Sequence, residues 1–193
     1  LSRAAQEEFT RVGINAYEKF QALPIDDKEI LGPHQSFSGS VRQILRDFLI
    51  SDSSTLLMLE EDCIFLDVAH LDQAITELPA DWDILYLGAN LVCWNNGEPQ
   101  PEMYSEHLFR VRAAWTTHAV GFNKRVVPYL LENPPGLSVQ MFDQYLSASL
   151  HKLNAYCVAP MMAYQRPRVS SIWQKGVVDD YTAIFEASEV KLK

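Results

Sequence analysis

Glu60, Glu61 and Asp62 follow directly on the apolar run Leu56-Leu57-Met58-Leu59. A short, continuously apolar run reads as a strand buried on both faces, and ligands in open α/β sheets bind at the carboxyl ends of such strands. Three acids crowded there repel one another and raise each other's pKa unless something positive sits among them. On an extended chain Glu60 and Asp62 project to the same side, because side chains alternate with a period of two. Two carboxylates on one side suit a hard divalent cation such as Mn2+ or Mg2+, which takes oxygen ligands. A solvated acidic turn closing the strand fits the same residues, and spacing alone leaves both readings open.

The elements that must position these acids follow from periodicity. Ser2 to Val12 reads as an amphipathic helix closed by Gly13, and Ala16 to Leu23 as a short strand. Pro24 to Gln35 is expected to be loop, then Phe37 to Ile50 a helix, with Val41, Ile44, Leu45, Phe48 and Leu49 at helical spacing. The acid strand is Thr55–Leu59, followed by a helix from about Val68 to Leu78. Asp83 to Gly88 predicts a second buried strand ending at a glycine turn. Ala89 to Glu106 reads as a long irregular loop. Strands are expected at Phe109 to Ala114, Ala119 to Phe122 and Ala155 to Ala159. Helices are expected at Lys124 to Glu132, Met141 to Lys152 and around Asp180 to Ala187. Strands alternating with helices predict an α/β sandwich with a mostly parallel central sheet, in one domain spanning 1–193.

Composition narrows the function classes. The net charge of −9 over 193 residues, with no run of Lys and Arg, argues against a general nucleic-acid binder. No window approaches a membrane span and the start lacks a signal-peptide pattern, so peripheral membrane association at most is expected. Cys63, Cys93 and Cys157 lie in apolar or aromatic surroundings without a CxxC, which predicts buried free thiols and a cytoplasmic address.

Several segments, in order, resemble glycosyltransferase family 25, the lipooligosaccharide and procollagen galactosyltransferase-like enzymes of GT-A fold. Leu57-Met58-Leu59-Glu60-Glu61-Asp62 resembles the family's LxLEDD strand, and Trp82-Asp83-Ile84-Leu85-Tyr86-Leu87-Gly88 its WDxxYLG strand. Thr117-His118-Ala119-Val120-Gly121 is similar to its T-x-A-Y segment, Phe142-Asp143-Gln144-Tyr145-Leu146 to its D-x-x-L helix start, and Gln165 with Ser170-Ser171-Ile172 to its closing Q…S-D-I. Three positions depart: the family's opening INLxRR strand would precede this chain, Ser40-Val41 replaces an S-H pair, and Ser171 stands where the S-D-I acid would be. The resemblance implies a GT-A-like three-layer sandwich. It also implies inverting transfer of a sugar, typically from UDP-galactose, to a glycan or glycoconjugate acceptor.

That chemistry assigns roles. A cation on Glu60 and Asp62 would stabilise the leaving diphosphate, with Glu61 pointing away toward the sheet edge or a backbone amide. Asp143, after the Pro134-Pro135-Gly136 loop, is the candidate general base, and its place at a helix start equally suits a cap. His118, flanked by Thr116 and Thr117, reads as a phosphate contact, a third metal ligand or a structural histidine. Asn90 past the glycine turn offers an amide to the sugar or stabilises its loop. Arg166 pairs with diphosphate or lies on the surface. Ser40, Thr117, Gln165 and Ser171 complete the donor-side set. Trp94, Trp115 and Trp173 stack on sugar rings or belong to the core. His34, His70, His107 and His151 have no partner spacing. Two other classes compete: a degenerate transferase domain that only binds a nucleotide-sugar, glycan or partner, and a metal-dependent phosphohydrolase, for which no aspartate nucleophile or His/Asp ligand set is evident.

Overall fold

The computed structural model describes residues 2–24, 32–91, 99–132, 141–169 and 178–192. Cys93, Trp94, the Pro134-Pro135-Gly136 loop, Ser170, Ser171, Ile172 and Trp173 lie outside the described residues. The chain is an α/β protein built on a six-stranded sheet. The strands are β1 (Thr55–Leu59), β3 (Ile84–Tyr86), β4 (Glu102–Met103), β5 (Leu108–Arg110), β6 (Ala119–Asn123) and β7 (Ala155–Val158), with β2 (Cys63–Phe65) lying outside this sheet. Their spatial order is β1-β6-β3-β7-β5-β4.

The sheet is mixed, which corrects the expectation of a mostly parallel one. β1, β3, β7 and β4 run one way, but β6 is inserted between β1 and β3, and β5 between β7 and β4, both reversed. Only β3 and β7 are parallel neighbours. Apolar runs reveal that strands are buried, and a buried strand reads the same in either direction.

Alternation along the strands feeds two cores. Ile84, Tyr86, Val120, Phe122, Ala155 and Cys157 face one side, with Val41, Leu45 and Phe48 of α2 (Gly32–Ile50), Val127 and Leu130 of α4 (Val127–Glu132) and Leu146 of α5 (Phe142–Ser149). Leu85, Leu87, Tyr156 and Val158 face the other, with Phe9 of α1 (Arg3–Arg11) and Ala74 of α3 (Leu71–Glu77). Burial of this kind stabilises at roughly 25 cal/mol per Å² of apolar surface, so each two-residue step in a strand serves both layers.

The second layer also holds a two-stranded unit, β2 against β8 (Ala163–Gln165). Here α1 covers the outer edge of β2: Glu8 Oε1 accepts the Phe65 N–H at 2.7 Å and Arg11 Nη2 donates to the Phe65 carbonyl at 2.5 Å. The helix itself is capped by Ser2 and ended by Gly13 at φ 83°, a left-handed residue that glycine adopts freely.

Several boundaries differ from expectation. Residues 14–24 form no strand. The Leu23 N–H goes to Ser40 Oγ at 2.9 Å and its carbonyl accepts from Ser36 Oγ at 2.5 Å, so α2 hydroxyls replace a strand partner. α2 begins at Gly32 and takes in Pro33, because a first helical turn needs no N–H there. The loop expected at Ala89 to Glu106 contains β4, and β5 ends at Arg110, where the strand was expected to continue to Ala114. β9 (Arg168–Val169) pairs β10 (Val178–Asp179) before α6 (Thr182–Val190).

Candidate functional site

The carboxyl ends of β1 and β3 and the amino end of β6 meet at one edge of the sheet. Leu59 pairs with Ala119, and the Leu87 N–H reaches the Ala119 carbonyl at 3.1 Å. This edge gathers Glu60 to Asp62, Thr116 to His118, and Gly88 to Asn90.

The three acids do not continue the strand. The Cys63 N–H bonds the Glu60 carbonyl at 3.1 Å, closing a turn, so projection of Glu60 and Asp62 from an extended chain is corrected. The Glu60 N–H still reaches the His118 carbonyl at 2.9 Å, and its Oε1 accepts the Thr117 hydroxyl at 2.8 Å. Asp62 is 5% exposed, and its backbone carbonyl accepts the Arg166 N–H at 2.8 Å. Glu61 is exposed. Glu60 and Asp62 offer only carboxylate oxygen, a donor set that fits a hard cation.

Asp143 stands in the first turn of α5. α5 starts at Phe142 with Met141 in the capping position, so Asp143 is a first-turn residue and the cap reading is corrected. Its Oδ1 accepts the Gln144 N–H at 2.8 Å. Burial raises its pKa, and the N–H groups of Gln144 and Thr116 and the nearby His34 pull it partly back down. Thr116 sits at φ 71° and is the one positive-φ residue other than glycine among the described residues. Its neighbour Trp115 exchanges both backbone hydrogen bonds with Asn90, at 3.0 and 2.9 Å. Asn90 is itself buried, and the Trp115 indole N–H is buried without a hydrogen-bond partner.

His118 lies beneath this layer. It is 0% exposed, and its ring meets Phe185 edge-on at 5.1 Å. Burial lowers its pKa to about 4, and the Ala163 carbonyl offsets this slightly although neither ring nitrogen has a hydrogen bond of normal geometry. His118 is therefore a neutral core imidazole, which corrects its reading as a phosphate contact or third ligand.

The remaining donor-side candidates scatter. Ser40 staples Leu23 to α2, accepting from Leu23 and donating to the Ser36 carbonyl at 2.7 Å. Gln165 lies on β8 with its Oε1 buried and without a hydrogen bond. Arg166 acts electrostatically on Glu8 of α1, whose carboxyl is held low chiefly by Arg11. Cys63 and Cys157 are buried free thiols, raised in pKa by burial.

Sequence reasoning missed a second cluster. Among the described residues, Glu77, Glu106 and His107 alone bring three metal-ligating groups within one ion's reach. Glu77 accepts from Ser105 Oγ at 2.5 Å and from the His107 N–H at 2.9 Å, and its Oε1 lies 2.6 Å from His107 Nδ1. The His107 bond, ahead of the others, lowers the Glu77 pKa to about 2. His70 stacks on His107 at 5.5 Å. The partners sit 30 residues apart, so no local spacing announces them. A shallow surface depression of about 530 Å³ lies elsewhere again, on α1 between Arg3, Gln6, Glu7, Thr10 and Arg11.

No protein-family model and no curated protein matches the chain. Among solved structures it is similar to the crystal structure of A197 from STIV, with a TM-score of 0.44 and 16% identity. The match covers 67% of this chain and 66% of that one. No helix among the described residues is long and apolar enough to cross a membrane.

Proposed function

We propose that this chain is a GT-A-like glycosyltransferase domain, a three-layer sandwich that transfers a sugar from UDP-galactose or a related nucleotide-sugar to a glycan or glycoconjugate acceptor, with inversion. The observation that carries the reading is the acid pair Glu60 and Asp62 at the carboxyl end of β1, with Glu60 Oε1 held by the Thr117 hydroxyl at 2.8 Å. A divalent cation (Mn2+ or Mg2+) held by Glu60 and Asp62 supplies Lewis-acid stabilisation to a leaving diphosphate when bound. The chain's own residues supply the rest. Asp143 is a partly buried carboxyl whose raised pKa makes it a better proton acceptor than a surface aspartate, as a base facing an attacking hydroxyl requires. Thr117 fixes the orientation of Glu60, and the Arg166 N–H fixes the Asp62 backbone.

The test is calorimetry of UDP-galactose with the parent and Asp62→Asn, with Mn2+ and with chelator. Loss of one charged oxygen ligand is expected to weaken donor binding by about 1–3 kcal/mol. Equal affinity in all four conditions would reduce the acids to a solvated turn. A second reading, a degenerate domain that binds a nucleotide-sugar, glycan or partner without transfer, is favoured by one observation. Among the described residues, Glu60 and Asp62 belong to no set of three His, Cys, Asp or Glu side chains within one ion's reach, whereas Glu77, Glu106 and His107 form such a set elsewhere. Donor binding without transfer or hydrolysis would select it.

A further inference from the structure

The cluster at the β4–β5 turn takes no part in the proposed transfer. It lies where β7 ends and β5 begins, since the Ala159 N–H bonds the His107 carbonyl at 3.0 Å. β5 stands four places from β1 in the strand order, roughly 19 Å away at about 4.8 Å per strand, so one ion cannot serve both places. Three segments converge there. α3 brings Glu77 at its last turn and His70 just before its start, the turn brings Ser105, Glu106 and His107, and Pro160 follows β7. The turn is closed by the Tyr104 and Ser105 N–H groups, both on the Leu108 carbonyl, at 2.9 and 3.1 Å. Glu77 Oε2 accepts from Ser105 Oγ at 2.5 Å and from the His107 N–H at 2.9 Å. The His107 ring is stacked by His70, at 5.5 Å and 28° between planes, and His70 Nε2 is fixed on the Pro160 carbonyl at 3.0 Å. These contacts leave Glu77 Oε1 and His107 Nδ1 facing each other at 2.6 Å beside the exposed Glu106. One ligand atom from each of Glu77, Glu106 and His107 lies within 4.8 Å of the others. Among the described residues no Lys or Arg forms an ion pair with either acid. Two adjacent carboxylates repel one another unless positive charge sits between them.

We propose that Glu77, Glu106 and His107 bind a divalent ion of the zinc class, which ties the β4–β5 turn to α3. The donor set selects the ion. An imidazole nitrogen with carboxylate oxygens suits Zn2+, whereas Mg2+ and Ca2+ take oxygen alone, as Glu60 and Asp62 offer it. The ion takes the place of the proton between Glu77 Oε1 and His107 Nδ1, and that proton leaves to solvent. Ligand atoms on one tetrahedral zinc stand about 3.4 Å apart, so the 2.6 Å pair opens by about 0.8 Å and the exposed Glu106 swings in. The contacts that orient the ligands lie outside the ion's reach and stay in place. Ser105 and the His107 N–H hold the second oxygen of Glu77, and His70 holds the ring plane of His107, as supporting groups do around bound metals.

The test uses Zn2+ alone, with calorimetry and 15N NMR of the histidine rings in excess Mg2+. The parent is expected to bind Zn2+ with a shift of the His107 ring nitrogens, because Mg2+ does not compete for the imidazole. Glu106→Gln removes one oxygen ligand from an exposed position, so it folds as the parent does. Its Zn2+ affinity is expected to fall at least about tenfold, since even outer partners of a metal ligand are worth about 10- to 100-fold. Asp62→Asn is expected to bind Zn2+ as the parent does. Parent affinity in Glu106→Gln, or His107 ring signals unmoved by Zn2+, overturns the proposal. So does Zn2+ binding that falls in Asp62→Asn and holds in Glu106→Gln, which would put the ion at β1. No arm contains a nucleotide-sugar, so these results stand whether or not the transferase reading holds.

Discussion

Gly88→Ala is the most severe single-methyl change the structure offers beside the site. The Leu87 carbonyl accepts two N–H groups, from Met162 at 2.7 Å and Ala163 at 3.1 Å, which lays the start of β8 across the end of β3. A Cβ on Gly88 would stand 1.8 Å from the Ala163 carbonyl oxygen, 2.8 Å from its carbon and 3.3 Å from His118 Nε2. Opening the first contact even to 3.0 Å moves one backbone by about 1.2 Å, and neither is a flexible side-chain end. Overpacking of this kind costs about 1–3 kcal/mol, and weakening two hydrogen bonds adds about 0.5–1.5 kcal/mol each. The total of roughly 2–6 kcal/mol is a large share of a typical stability of about 5–15 kcal/mol. Gly121→Ala is the internal control, because its Cβ would meet Leu85 Cβ at 3.4 Å and the Leu85 carbonyl at 3.5 Å, ordinary contacts. Urea unfolding followed by tryptophan fluorescence should place Gly88→Ala far below the parent and Gly121→Ala within about 1 kcal/mol of it. Because β8 leads to Arg166, whose N–H holds the Asp62 backbone, Gly88→Ala should also weaken Mn2+-dependent donor binding. Equal midpoints for the two alanine variants would refute the close approach of β3 and β8.

Three other outcomes follow from the site. Asp143→Asn still accepts the Gln144 N–H but takes no proton, so it should melt with the parent and bind donor normally, while transfer falls about 100- to 10,000-fold; parent-rate transfer would make Asp143 structural. His118 has a folded pKa of about 4 against an unfolded value near 6.5, so the unfolded chain binds the extra proton and its contribution to stability is lost as pH falls from about 6.5 to 4. Urea midpoints at pH 7 and pH 5 should therefore separate in the parent and draw closer in His118→Gln. Glu77, lowered to about 2 by its His107 bond, contributes stability that is present above its ordinary value of 4.5 and lost as pH falls toward 2. Glu77→Gln should flatten that acid limb, and an unchanged limb would show the contact to be slack in solution.

The parts of this architecture legible in the sequence are those with local causes. β1 occupies Thr55–Leu59, as its apolar run predicts, and Gly13 ends α1 because the helix requires a left-handed residue there. Helix α4 and the helical turn before it fill Lys124 to Glu132. What stayed hidden depends on partners far along the chain. Cys63 to Phe65 pairs with Ala163 to Gln165, a hundred residues on, and nothing in either tripeptide names the other. The insertions of β6 between β1 and β3 and of β5 between β7 and β4 are equally non-local, and together they turn an apparently parallel sheet into a mixed one.

The same division runs through the site. Residue type singled out Glu60, Asp62 and Asp143 as candidates, since acids beside apolar runs stand out by their cost of burial. The bond that holds Glu60 did not show, because it rests on one hydroxyl of Thr117, and a lone threonine does not depart from ordinary composition. Spacing misled for the acids themselves. A period of two holds only while the chain stays extended, and the Cys63 N–H bond to Glu60 ends the strand one residue too early for that argument. Two carboxylates in a turn depend on their neighbours for orientation in a way that two on a strand do not. Thr117 holds the Glu60 carboxylate and the Arg166 N–H holds the Asp62 backbone, so the segments carrying them belong to the candidate site as much as the acids do.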